Sequence, residues 1–141
     1  MSRVPESVTE LRVRYAETDQ MGIVYHAHYL VWCEIARTDL IRTLGASYRE
    51  LEERGLRLAV AEASVRYISP AHYDDRIRVE TRLSGVTSRT MIFEYTILNA
   101  DSSERLATAS TTLISLDSSN RVVTLPSDVR RALSGDGVRD A

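Results

Sequence analysis

HYLVWCEIARTDLIRTLG, His28 to Gly45, is the stretch whose reading decides the fold. Placed at about 100° per residue, Leu30, Val31, Trp32, Cys33, Ile35, Ala36, Leu40, Ile41 and Leu44 cover far more than one stripe of a helix. A helix apolar on most sides is expected to be wrapped by other structure. Gly45 is the expected stop, at the usual C-terminal glycine position. Ahead of the helix the pattern is different. From Leu11 to Tyr15 apolar residues alternate with Arg12 and Arg14, the period of a half-buried strand.

After the helix, Ser47 to Arg54 reads as a short solvated helix ending at Gly55. The period then changes to two. LRLAVAEASVRYI (Leu56–Ile68) is one long strand ahead of Pro70, and RIRVETRLSGV sets Ile77, Val79 and Leu83 against Arg76, Arg78, Glu80 and Arg82. TMIFEYTIL (90–98) and ERLATASTTLISL (104–116) complete four long strands, and VTSR and NADSSE are turn-like separators. The last three strands are therefore expected to form an antiparallel meander. A short helix after Pro126, capped by Ser127, closes the chain.

Strand, buried helix and four strands make an α+β layout with helix on one face of a sheet. Curling that sheet is the simplest way to cover such a helix. Polar strand faces and free edges are commonly settled by pairing between subunits, so an oligomer is expected. Residues 1–134 read as a single domain and 135–141 as a frayed tail.

Composition excludes several classes of function. The 141 residues are 43% hydrophobic and 27% charged, which is globular and not disordered. A net charge of -2 carries no nucleic-acid footprint. All 18 basic residues are Arg, so a ligand phosphate would meet guanidinium forks, loop N–H groups or a helix N-terminus. Cys33 is the only cysteine, no apolar run is long enough for a bilayer, and the first residues lack a signal-peptide pattern. The cytoplasm is the expected compartment, with no membrane span and no cofactor.

The chemistry-bearing residues gather in one long pattern, Y-x-E-T-D-x-x-G-x-V-Y-H-x-x-Y, from Tyr15 to Tyr29. A second marker, Y-x-x-P-A-x-x-D-D, holds Tyr67, Pro70, Ala71, Asp74 and Asp75. With these motifs the chain resembles the hotdog-fold acyl-CoA thioesterases of the 4-hydroxybenzoyl-CoA thioesterase type, closest to the branch associated with the Tol–Pal cluster. The resemblance covers roughly residues 8 to 126. It implies a hotdog fold, an antiparallel sheet wrapped around a long central helix. It also implies a homodimer or homotetramer with acyl-CoA sites at the subunit interface. The family's catalytic aspartate falls on Asp19, and its oxyanion donor on the backbone N–H of His26.

That assignment makes chemical sense. A thioester is already activated, so one carboxylate can attack it directly or deprotonate a water. Free N–H groups at a helix entrance then hold the oxyanion. Gly22 lets the loop fold back toward the helix. Tyr25, Tyr29 and Tyr67 are expected to line the substrate pocket, and Arg89 to meet the nucleotide, with Arg66 and Arg121 as weaker choices. His28 is read as structural or pocket-lining, and Asp74 and Asp75 as turn formers. Glu34 and Arg37 are expected to pair at i,i+3, with Glu34 as the reserve carboxylate. Cys33 reads as core, and Glu62 has no firm account.

Three other functions compete. A metal site built from Asp19, His26 and His28 would need both rings to converge, which a helix start disfavours. A non-catalytic acyl-CoA or carrier-protein binding module, and a hotdog dehydratase, are the others. The acyl group itself is left open between short, long and aromatic thioesters.

Overall fold

The computed structural model describes residues 5–44 and 48–134. Gly45, Ser47 and the 135–141 tail, each given a role above, lie outside the described residues. In chain order the elements are β1 (Glu6–Arg12), α1 (His28–Thr43), α2 (Tyr48–Glu53), β2 (Arg57–Tyr67), β3 (Arg76–Val86), β4 (Thr90–Asn99), β5 (Arg105–Leu116) and α3 (Ser127–Ser134).

All strand pairs are antiparallel and the sheet order is β1-β3-β4-β5-β2. The β3-β4-β5 meander follows from the alternation and the turn-like separators. β2 pairs only with β5, so the long strand after the helices forms one edge and β1 the other. With helices on one face of this sheet the chain is α+β, a hotdog fold.

Register sorts the residues onto two faces. One row runs Thr81, Tyr95, Ala109 and Val65 across β3, β4, β5 and β2, on the side that α1 covers. The next row, Glu80, Thr96, Thr108 and Arg66, belongs to the outer, polar face. The buried face of α1 is Tyr29, Trp32, Cys33, Ala36, Arg37, Leu40 and Ile41, the i, i+3, i+4 spacing of one helical stripe. It packs over Ile77, Val79, Phe93, Ile97 and Leu113, all fully buried. Phe93→Ala should lower stability by about 3–5 kcal/mol, as large aromatic truncations in a core do; urea unfolding measures it.

Three expectations need correction. The first strand ends at Arg12, and Tyr15–Glu17 form a single 3-10 turn. The buried Glu17 carboxylate captures the Arg14 N–H at 2.8 Å and turns the chain out of the sheet. Second, α1 is not covered on most sides within one chain. Leu30, Val31 and Ile35 are 36, 44 and 44% exposed. Third, Glu34 and Arg37 point to different sides. Glu34 is exposed, whereas Arg37 turns inward and donates to Tyr95 Oη at 3.2 Å, which in turn shares a hydrogen bond with Thr111 Oγ1 at 2.6 Å.

Candidate active site

Asp19 sits in a tight hairpin. Thr18 bridges Val24, the Asp19 N–H donates to Ile23 O at 2.8 Å, and the Gly22 N–H returns to Asp19 O at 3.0 Å. Closing this turn puts Gly22 at φ +82°, a conformation side-chain-bearing residues rarely adopt. A Cβ there would meet nothing within 4 Å, so the penalty for Gly22→Ala is conformational alone. Stability should fall by about 1–2 kcal/mol, read from the shift in urea midpoint.

The far arm of the hairpin docks on the segment after β2. Ile23 bridges His72, and the Val24 N–H donates to Ala71 O at 2.9 Å. This brings the Asp19 loop against the second sequence marker. Asp74 supplies the turn there with φ +69°, and Asp75 Oδ2 accepts the His72 N–H at 2.9 Å.

A cleft of about 330 Å³ opens between these pieces. Asp19, Met21, Ile23 and Val24 form one wall, Tyr67 to Pro70 the other, and His26 and Tyr29 close it at the entrance of α1. The half-buried Asp19 anchors one oxygen, since Oδ1 accepts the Met21 N–H at 2.9 Å. Among the described residues its Oδ2 has no hydrogen-bond partner. The same holds for the backbone N–H groups of His26 and Ala27, while the next N–H, that of His28, already donates to Tyr25 O at 3.0 Å. Asp19, with a spare carboxylate oxygen, and His26, with an unused backbone N–H, thus line one cleft.

The tyrosines are walls and struts. Tyr29 is 3% exposed, and its hydroxyl accepts the Ala71 N–H at 3.1 Å. The Tyr67 hydroxyl donates to His26 O at 2.9 Å, and its ring meets that of Tyr29 edge-on with centroids 5.1 Å apart. Burial pushes both phenols above their ordinary value, so both stay protonated at neutral pH. Behind them Cys33 is fully buried, and burial pushes its thiol up to about 12. It is an inert core residue.

The structure does not bring every expected residue to this cleft. Tyr25 stays outside, its ring tilted against that of His26 with centroids 4.5 Å apart. Gly22 shapes the loop without lining the cleft. Arg89 is exposed in the turn after β3, whereas the Asp19 loop lies beside the start of that strand. The 11 residues of β3, at about 3.3 Å each, separate the two within one chain. Arg66 projects onto the outer face beside a larger hollow of about 910 Å³ that contains none of the motif carboxylates. Arg121 is exposed and faces Asp117 Oδ2 at 3.8 Å. Glu62 is exposed next to the bulge of edge strand β2. Asp19, His26 and His28 do not gather into a metal-holding group among the described residues.

Sequence reasoning missed Met21, Ile23, Ile68, Ser69 and Pro70 as lining, and also Glu17. Glu17 is 3% exposed, and its Oε2 accepts from Trp32 Nε1 at 3.1 Å. Burial raises its pKa most, but the hydrogen bonds from Arg14 and Trp32 and the charge of Arg14 together hold it below the ordinary carboxylate value. With the folded pKa below the unfolded one, its stabilisation is present above the unfolded value of about 4.3. It is lost as pH falls through the lower folded value. Glu17→Gln should flatten that acid slope in the pH dependence of Tm.

Residues 13–133 match the thioesterase-like superfamily. YneP of Bacillus subtilis is 44% identical over 93 residues, 66% of this chain and 67% of that one. The acyl-CoA thioester hydrolase YbgC of Escherichia coli is 33% identical over 91 residues, 64% of this chain and 68% of that one. A solved DHNA-CoA thioesterase of Staphylococcus aureus superposes with a TM-score of 0.80 at 34% identity, covering 87% of this chain and 81% of that one. Fold, motif and family match agree: this chain belongs to the thioesterase-like superfamily.

Proposed function

We propose that this chain hydrolyses acyl-CoA thioesters in the Asp19 cleft. One observation carries the reading. Asp19 and His26 line the same cavity, one with a spare carboxylate oxygen and the other with a spare backbone N–H.

The thioester carbonyl points its oxygen at the His26 N–H. In the direct route Asp19 Oδ2 bonds to the carbonyl carbon, the C–S bond breaks, and water then hydrolyses the mixed anhydride. In the alternative, Asp19 takes a proton from water, the hydroxide adds to the carbon, and the thiolate leaves with a proton. Either route gives a carboxylate and a thiol. In both, negative charge grows on the carbonyl oxygen and the helix-entrance N–H stabilises it.

The free edge of β2, with Val60 51% and Tyr67 47% exposed, and the uncovered Leu30, Val31 and Ile35 of α1 support a dimer formed edge to edge. Antiparallel pairing of two β2 strands sets the Arg57 end of one beside the Tyr67 end of the other. The end of the sheet that carries Arg89 then approaches the cleft from the partner. That is the arrangement in which Arg89 serves the nucleotide phosphates.

Thiol release from a panel of short, long and aromatic acyl-CoAs, with and without chelator, tests the reading. Chelator-insensitive hydrolysis of at least one class is expected. Binding without cleavage across the panel would make the chain a binding module. Cleavage only of carrier-protein thioesters would replace CoA as the carrier.

A further inference from the structure

We propose that Glu17 is a positioning residue that holds Asp19 in register with the entrance of α1, working through Tyr25 and Trp32. The inference rests on the reading of Asp19 and His26 above.

Glu17 is tied at both its main chain and its side chain. Its carbonyl accepts the Tyr25 N–H at 2.9 Å, which forms the base of the hairpin below the Thr18–Val24 bridge. Asp19 lies two residues beyond Glu17 on one arm, and His26 directly follows Tyr25 on the other. The spacing of the two groups along the hairpin is thereby set. The far arm is docked on Ala71 and His72. The Glu17 side chain adds the tie between the hairpin base and α1. Oε2 accepts from Trp32 Nε1 at 3.1 Å, and Oε1 from the Arg14 N–H at 2.8 Å. Trp32 is a rigid anchor, fully buried on α1 with its ring 4.9 Å from that of Tyr29.

A turn-forming or merely space-filling acid needs none of this. A Gln would fill the same volume, but its amide offers one acceptor oxygen. Its NH₂ group must then face either the Trp32 or the Arg14 N–H, donor against donor. The hairpin would shift away from that contact. A displacement of about 1 Å at a reacting group costs on the order of 10²-fold in rate.

The test measures kcat and KM for Glu17→Gln, Trp32→Phe and the double variant in the full chain, beside the unmodified protein and Asp19→Asn. Circular dichroism confirms folding, and emission of Trp32, the only tryptophan, reports the contact. For Glu17→Gln, kcat should fall by about 10–100-fold with KM unchanged and a shifted Trp32 emission. Trp32→Phe should lower kcat in the same sense, and the double variant should lose little more than the worse single one, because both break one contact. A folded Glu17→Gln with undiminished kcat, or losses that multiply in the double variant, overturns the proposal. If Glu17→Gln does not fold, Trp32→Phe decides alone, and an unchanged kcat there overturns it. Activity lost in Asp19→Asn but kept in Glu17→Gln defeats this inference only. Absence of hydrolysis by the unmodified protein defeats both.

Discussion

Asp19→Asn should lower kcat for thioester hydrolysis by about 10² or more, the scale of a lost catalytic acid–base group, with the fold and KM largely kept. The amide retains the size of the side chain and, with its oxygen toward the Met21 N–H, the turn contact made by Oδ1 at 2.9 Å. Only the charge and basicity of the second oxygen disappear. An amide neither deprotonates water nor forms the anhydride, so both routes fail together. Steady-state kinetics on the best substrate of the panel checks this. Retained activity would move the search to Glu34. That residue is exposed on α1 and does not line the cleft.

The second large effect separates a backbone role from a side-chain role at His26. His26→Ala removes the imidazole and keeps the N–H, whereas His26→Pro removes both. Proline is tolerated near helix starts, and the His26 N–H has no acceptor among the described residues. The loss beyond His26→Ala should therefore be catalytic. His26→Pro is expected to fall about 10²–10³-fold below His26→Ala in kcat, the cost of one oxyanion donor. Equal activities in the two variants would assign the position to its ring. Circular dichroism of both keeps the comparison fair.

The sheet was legible because its alternation is local. Ile77, Val79 and Leu83 against Arg78, Glu80 and Arg82 state a face without reference to the rest of the chain, and β3 lies where that pattern put it. α1 was legible as a helix for the same reason. Its environment was not. Leu30, Val31 and Ile35 looked like core because hydropathy does not say which surface covers them, and among the described residues of one chain the cover is only partial. Tyr15 was placed in a strand because Arg12, Val13 and Arg14 continue the alternation. The chain leaves the sheet there through the Glu17 carboxylate, a contact that periodicity does not encode.

The site divides along the same line. Asp19, Gly22 and His26 lie within one short motif, so their proximity follows from a single hairpin. Ile68, Ser69 and Pro70 reach the cleft only because Val24 and Ile23 pair with Ala71 and His72. That long-range pairing has no local signature. Arg89, placed by resemblance, sits an entire strand away from Asp19 in its own chain, and reaches a cleft only in the dimer proposed above.

Hydrolysis by Asp19 and His26 requires the carbonyl of a bound thioester to lie between the Asp19 carboxylate and the His26 N–H. A crystal structure with a ketone analogue, in which a methylene replaces the thioester sulfur of an acyl-CoA, measures this directly. The ketone oxygen is expected about 2.7–3.1 Å from the His26 nitrogen. An Asp19 oxygen, or a water held by it, is expected about 3–3.5 Å from the carbonyl carbon. An analogue bound with its carbonyl turned away from His26, or seated outside the Asp19 cleft, would remove both residues from the chemistry.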